Sequence, residues 1–262
     1  MNLDLRGKHA LVCGGSHGIG RATANELAAL GADVTLMARS ADVLAEVVAS
    51  LPRTDSAQKH GFIVADSSAH EALRAQVEAV SNGAPVNILI NNSGGPPGGS
   101  AHAASPAEYL AAFNQHLIAN QIIVQAVLPG MQASGYGRVI NIISTSVKEP
   151  IRNLGVSNTV RGAVASWAKT LAGELGAFGI TVNNVLPGYT MTRRLEQILH
   201  DRANATGNSE SVISAGMLAT VPLGRFAEAK EIANVIAFLA SPAAAYVNGV
   251  NLAVDGGRMQ SL

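Results

Sequence analysis

The chain has 262 residues and a single cysteine, Cys13, so an intrachain disulfide is excluded and a reducing compartment is expected. It also lacks an excess of either charge. Lys+Arg and Asp+Glu both number 18, and this balance offers no attraction to nucleic acid or an acidic membrane. Although 48% of the residues are hydrophobic, no apolar run approaches the roughly 20 residues that span a bilayer. The seven histidines are scattered without His-x-x-x-His spacing, and no Cys-x-x-Cys occurs, so no metal site is expected. Residues 1–8 run into the first strand without an apolar signal-peptide core, which leads to the expectation of a cytoplasmic protein. The length suits one α/β domain covering residues 1–262.

What is present is organised around residues 11–20, Leu-Val-Cys-Gly-Gly-Ser-His-Gly-Ile-Gly. His9 to Val12 reads as a buried strand, Arg21 to Leu30 as a helix closed by Gly31, and Val34 to Ala38 as a second strand. The glycines thus fall at the strand-to-helix turn of a βαβ unit, where a dinucleotide pyrophosphate can rest on a helix N-terminus. A second reading exists for the same stretch. Gly14-x-Ser16-x-Gly18 matches the nucleophile elbow of serine hydrolases, with Ser16 as nucleophile.

Strand-like and helix-like segments alternate from there on. Strands are expected at 61–64, 86–90, 138–143, 180–185 and 250–254. Helices are expected at 42–50, 68–80, 106–128, 157–177 and 228–240. The stretch 190–222 is polar and irregular and reads as a lid. Seven strands alternating with helices predict a single-domain Rossmann-type fold, a doubly wound parallel sheet with helices on both faces. Ligands should then gather at the carboxyl ends of the strands.

Gly14-x-x-x-Gly18-Ile19-Gly20, Asp66, Asn91-Asn92-Ser93-Gly94, Pro187-Gly188 with Thr192, Pro222 to Phe226 and Val254-Asp255-Gly256-Gly257 occur in that order. Together they resemble the short-chain dehydrogenase/reductase family along essentially the whole chain, its 3-oxoacyl-carrier-protein reductases in particular. The resemblance implies a nicotinamide cofactor lined by Gly14, Ser16, His17, Gly18, Ile19, Gly20, Asp66, Asn92, Ser93, Gly94 and Arg161. Pro187, Gly188, Thr190 and Thr192 would hold its nicotinamide end, and Asp66 the adenine edge, unless Asp66 is simply a helix N-cap. It also implies a homodimer or homotetramer acting on a small carbonyl or alcohol. Where NAD-specific relatives carry a carboxylate after strand two, this chain has Ala38 and then Arg39-Ser40. A guanidinium there suits a 2′-phosphate, so NADP(H) is expected over NAD(H), with His17 as a further donor.

The family's catalytic pattern is altered. Ser144 falls on the family serine, but Ser157 and Arg161 stand where Tyr-x-x-x-Lys belongs, and His116 occupies the asparagine position. A serine hydroxyl cannot replace a phenol of pKa about 10 as an acid. Arg161 can hold ribose or phosphate but cannot shuttle a proton. His116, expected to titrate near neutrality, becomes the candidate proton donor, with Tyr189 or ordered water as alternatives. Asn114 lies two residues earlier, about 200° around the helix, and should face away. The reading is therefore an NADP(H)-dependent oxidoreductase. The alternatives are a catalytically silent dinucleotide-binding protein or, more distantly, the hydrolase using Ser16.

Overall fold

The computed structural model describes residues 1–261. Seven strands form one parallel sheet in the order β3-β2-β1-β4-β5-β6-β7. They are β1 (His9–Cys13), β2 (Asp33–Ala38), β3 (His60–Val64), β4 (Ile88–Asn91), β5 (Gly137–Ile142), β6 (Ile180–Pro187) and β7 (Asn251–Val254). The chain winds outward from β1 to β3, then returns to place β4 on the other side of β1. The topological switch point, where such sheets bind ligands, therefore lies between β1 and β4.

A parallel sheet must be covered on both faces, and the strands accordingly read as apolar runs rather than alternations. On one face lie α1 (Gly18–Ala29), α2 (Ala41–Ser50) and α9 (Ala229–Ala240), with Leu27, Leu44 and Ile236 fully buried. On the other lie α3 (His70–Gly83), α5 (Ala119–Ser134) and α6 (Gly155–Leu175), burying Leu73, Val127 and Ala168. Trp167 packs into this second layer and donates Nε1–H to Gln121 at 2.8 Å, so it belongs to the core.

The expected helix at 106–128 is three pieces. Ser105 caps α4 (Pro106–Phe113) with a reciprocal Glu108 bond, a π-helical turn covers Asn114–Ile118, and α5 then runs through Pro129 to Ser134. Proline inside a helix costs roughly 3 kcal/mol, yet the burial of Val124, Val127 and Met131 carries α5 past it. The lid expectation also needs correction. Segment 190–222 contains two helices, α7 (Arg193–Thr206) and α8 (Glu210–Leu218). Leu195 and Leu199, one turn apart, bury against Met217, and this small apolar cluster is what lets so polar a stretch fold. No helix among the described residues is long and apolar enough to cross a membrane.

One feature of the sheet interior is polar. Asn91 donates to Asn141, Asn141 to Asn184, and Asn184 to Asn251, each through the side-chain amide at 2.8 Å. These residues are register partners across β4, β5, β6 and β7, so the four amides form one rung perpendicular to the strands. Replacing Asn141 by Leu leaves two buried amide groups unpaired. At about 1–3 kcal/mol for each, the urea midpoint should fall by an amount equivalent to roughly 2–6 kcal/mol. Asn251→Leu, at the exposed end of the rung, leaves only the Asn184 amide unpaired and should cost about half as much, roughly 1–3 kcal/mol, by the same measurement.

Candidate active site

The turn between β1 and α1 is built by close approach. Gly14 has φ +60°, and a Cβ there would lie 2.6 Å from Nδ2 of Asn92; a Cβ on Gly20 would collide with the Gly14 carbonyl oxygen. Asn92 donates from that Nδ2 to the Gly14 carbonyl at 3.3 Å, tying the turn to the end of β4. His17 holds the N-cap position of α1 without capping it by its side chain, and no acidic residue follows in the first turn. The free N–H groups at the start of α1 are thus left for an anion. Thr192 lies against Gly18 from above, since a Cβ on Gly18 would meet its methyl group at 3.2 Å. Arg21 and Arg193 are near enough to His17 to hold its pKa below the usual imidazole value, together with partial burial, which dominates. These residues make a cationic, backbone-lined cradle fitting a pyrophosphate.

Next to this cradle, Arg39 and Ser40 follow β2, both exposed, and neither side chain has a hydrogen-bond partner among the described residues. Asp66 is exposed as well. Its Oδ1 accepts from the N–H and the hydroxyl of Ser68, both at 2.8 Å, which lowers its pKa; Arg39 adds a smaller lowering. Ala69, not Asp66, holds the N-cap position of α3, so the helix starts at residue 70 rather than 68. Beyond β6, Gly188 abuts Asp255, buried Thr190 bridges to Ala227, and Thr192 begins α7.

The catalytic candidates collect at the carboxyl ends of β4 and β5. Ser144 starts a short turn after β5, where its Oγ accepts from the Ser146 N–H at 3.1 Å. Ser157, buried on the first turns of α6, belongs to the helix that packs on the Ser144 turn. One turn further, Arg161 donates Nη1–H to the Ile142 carbonyl at 3.2 Å, binding the helix to the end of β5. Burial lowers its pKa to about 10, with Arg194 adding to the effect, so it stays cationic at neutral pH. His116, 4% exposed, sits in the π-helical turn, while Asn114 is exposed. Its Nδ1 pairs with Ser93 Oγ at 2.8 Å, and its Nε2 is buried without a partner.

That environment overturns the expectation that His116 titrates near neutrality. Burial, reinforced by the Arg161 charge, pushes its pKa down to about 4, so the ring is neutral at pH 7. Tyr189, between β6 and α7, packs away from these candidates. Its ring meets Phe226 edge-on, Arg258 stacks 4.5 Å above it, and it packs on the Leu195 cluster. Ser16 Oγ contacts the ring of its own neighbour His17 at 3.1 Å. No carboxylate hydrogen-bonds that ring among the described residues, so the elbow has no triad.

Two features escaped the sequence reading. The asparagine rung was signalled by Asn91, Asn141 and Asn184, each a polar residue inside an otherwise apolar strand. The Ser93–His116 pair was signalled by a double departure, serine for the family alanine together with histidine for the asparagine.

The comparisons agree with this geometry. The family model described as enoyl-(acyl carrier protein) reductase matches residues 14–258. The 3-oxoacyl-acyl-carrier-protein reductase FabG of Pseudomonas aeruginosa is 35% identical, covering 99% of this chain and all of its own. A solved short chain dehydrogenase/reductase family protein is 33% identical with a TM-score of 0.82, over 97% of this chain and 98% of that one. The L-sorbose reductase of Gluconobacter frateurii, solved with NADPH and L-sorbose, is 29% identical with a TM-score of 0.92 over the full length of both. A doubly wound sheet with a phosphate-sized cradle at its switch point defines the dinucleotide-binding class of fold. The chain belongs to the short-chain dehydrogenase/reductase family and is an oxidoreductase of that type.

The neutral state of His116 can be tested through stability. Its folded pKa lies below the ordinary 6.5, so the unfolded chain binds the proton first as the pH falls. Stability should therefore be intact above pH 6.5 and decline towards pH 4, the His116 share being of order 3 kcal/mol. Urea unfolding of the wild type and of His116→Asn across this range should show the wild type losing more, with the difference confined to that window.

Proposed function

We propose that this protein is an NADP(H)-dependent reductase of small carbonyl compounds whose active site works without Tyr-x-x-x-Lys. The observation that carries the reading is the buried, unpartnered Nε2 of His116, set beside Arg161 and fixed from behind by Ser93. When the Ser93 hydroxyl donates to Nδ1, the ring proton resides on Nε2, which becomes a buried neutral N–H donor without a protein partner. A neutral imidazole is a very weak acid, so His116 polarises the substrate oxygen rather than surrendering its proton. Ser144 supplies a second donor, its hydroxyl, for orienting the same oxygen, and the Arg161 charge stabilises the alkoxide that develops there. The product hydroxyl takes its proton from water. Bound NADPH supplies the hydride.

The preference for the 2′-phosphate rests on Arg39 and Ser40, two exposed polar side chains after β2 with no carboxylate in their place. The residues around α1 fit the pyrophosphate by the cradle that a Cβ would fill. FabG is a 3-oxoacyl-[acyl-carrier-protein] reductase by name, so 3-oxoacyl compounds are the first substrates to try. We propose in addition, as the family resemblance implies, a cytoplasmic enzyme that assembles as a homodimer or homotetramer.

Calorimetric titration should give NADPH binding at least tenfold tighter than NADH, which is about 1.4 kcal/mol. Arg39→Glu should erase or reverse that ratio. Tighter NADH binding by the wild type would overturn the cofactor assignment. With NADPH bound, Ser144→Ala and His116→Leu should each lower kcat/KM by a factor of about 100 or more, as expected for loss of an oxyanion donor. Unchanged turnover in both variants would defeat the mechanism.

A further inference from the structure

Two guanidinium groups reach the same bend of the chain from different elements. Arg161, on α6, lies against Gly95, where a Cβ would be 3.5 Å from its Nη2. Arg194, on α7, donates Nη2–H to the carbonyl of the next residue, Pro96, at 3.1 Å. Each fork uses one N–H on a main-chain carbonyl, at Ile142 for Arg161 and Pro96 for Arg194. Neither forms an ion pair among the described residues, where the five salt bridges involve other side chains. Both groups are felt as positive by their surroundings: Arg194 disfavours the charge on Arg161, which in turn disfavours protonation of His116.

Two like charges converging without a carboxylate are unfavourable unless an anion completes the set. The cofactor phosphates do not account for them. The phosphate cradle lies against the residues just before Arg194, where Thr192 covers Gly18 and the charge of Arg193 is near enough to disfavour protonation of His17. Consecutive residues on a helix point about 100° apart, which divides the work between neighbours. Arg193 serves the phosphate end, and Arg194 the end where His116, Ser144 and Arg161 meet. A third arginine, Arg258, donates to Thr145 beside Ser144 at 3.3 Å, but the carboxylate of Glu149 lies near enough to feel it.

We infer that the substrate is an anionic carbonyl compound, an oxo acid whose carboxylate is held between Arg161 and Arg194 at the Gly95–Pro96 bend. This rests on the reductase reading above and selects among 3-oxoacyl compounds, favouring free acids over neutral esters or thioesters. A carboxylate there accepts from two forks, each a charge-assisted donor, and fixes the distance from the anion to the carbonyl set against His116. Arg194 is a specificity determinant in this arrangement, and its exposure means that a substitution there leaves the fold intact.

The test uses malonate, a non-reducible stand-in for a 3-oxo acid, and its neutral dimethyl ester. Each is titrated calorimetrically into the protein saturated with NADPH. Malonate should bind at least tenfold tighter than the ester, and R194Q should weaken malonate at least tenfold, a change of about 1.4 kcal/mol. In turnover, acetoacetate should exceed ethyl acetoacetate in kcat/KM, and R194Q should shrink that ratio through KM. Equal or tighter binding of the ester, or malonate binding indifferent to R194Q, would overturn the inference while leaving NADPH binding and the reductase reading in place. Failure of NADPH to bind would instead defeat the reductase reading. Malonate titrated into the free protein then decides the anion site alone, upheld by binding that R194Q weakens and overturned by its absence.

Discussion

The contact on which the rest of the molecule depends is the one between the Gly14 carbonyl and the side-chain amide of Asn92. It joins the two strands on either side of the switch point, and it tolerates no side chain on Gly14 or Gly20. The neighbouring residue, Asn91, begins the amide rung that runs through Asn141 and Asn184 to Asn251. Two adjacent asparagines therefore do complementary things. One holds the phosphate turn down onto the sheet, and the other starts the rung that locks β4, β5, β6 and β7 in register. Side-chain register in a sheet is sensitive to a single slip, because one residue inverts every face. A buried amide rung penalises such a slip further, since each displaced amide would lose its partner in a dry interior. The residues that follow the rung, Ser93 after β4 and Ser144 after β5, inherit their positions from it.

The sequence spoke most clearly where one local rule and one global rule agreed. Apolar runs bounded by glycine located all seven strands within two residues at either end, because a parallel strand buried on both faces must be apolar throughout. It spoke less clearly where packing overrode a local signal. Pro129 argues for a helix end, and the buried stripe of α5 carries the helix beyond it. Polar residues in 190–222 argue for irregular chain, and three buried side chains suffice to support two helices there. The titration of His116 was illegible for a different reason. An imidazole pKa depends on the surroundings, and neither the burial of residue 116 nor the approach of Arg161 can be read from spacing alone.

The interior charge explains why these departures from the family pattern belong together. Arginine in place of lysine keeps a permanent cation at the end of β5, one that cannot relax by losing its proton as a buried lysine can. A histidine beside it is driven neutral, and a neutral ring needs its tautomer set from behind. Ser93 provides that contact, in a position where alanine could not. The π-helical turn completes the set. His116 is buried within it while Asn114 is exposed, and π-turns of this kind gather at functional sites. With a fixed cation, a neutral donor and no phenol, the pocket is arranged to stabilise negative charge rather than to deliver a proton. A pocket of that character binds an anionic substrate and an anionic transition state by the same means, so recognition and rate enhancement draw on one electrostatic field.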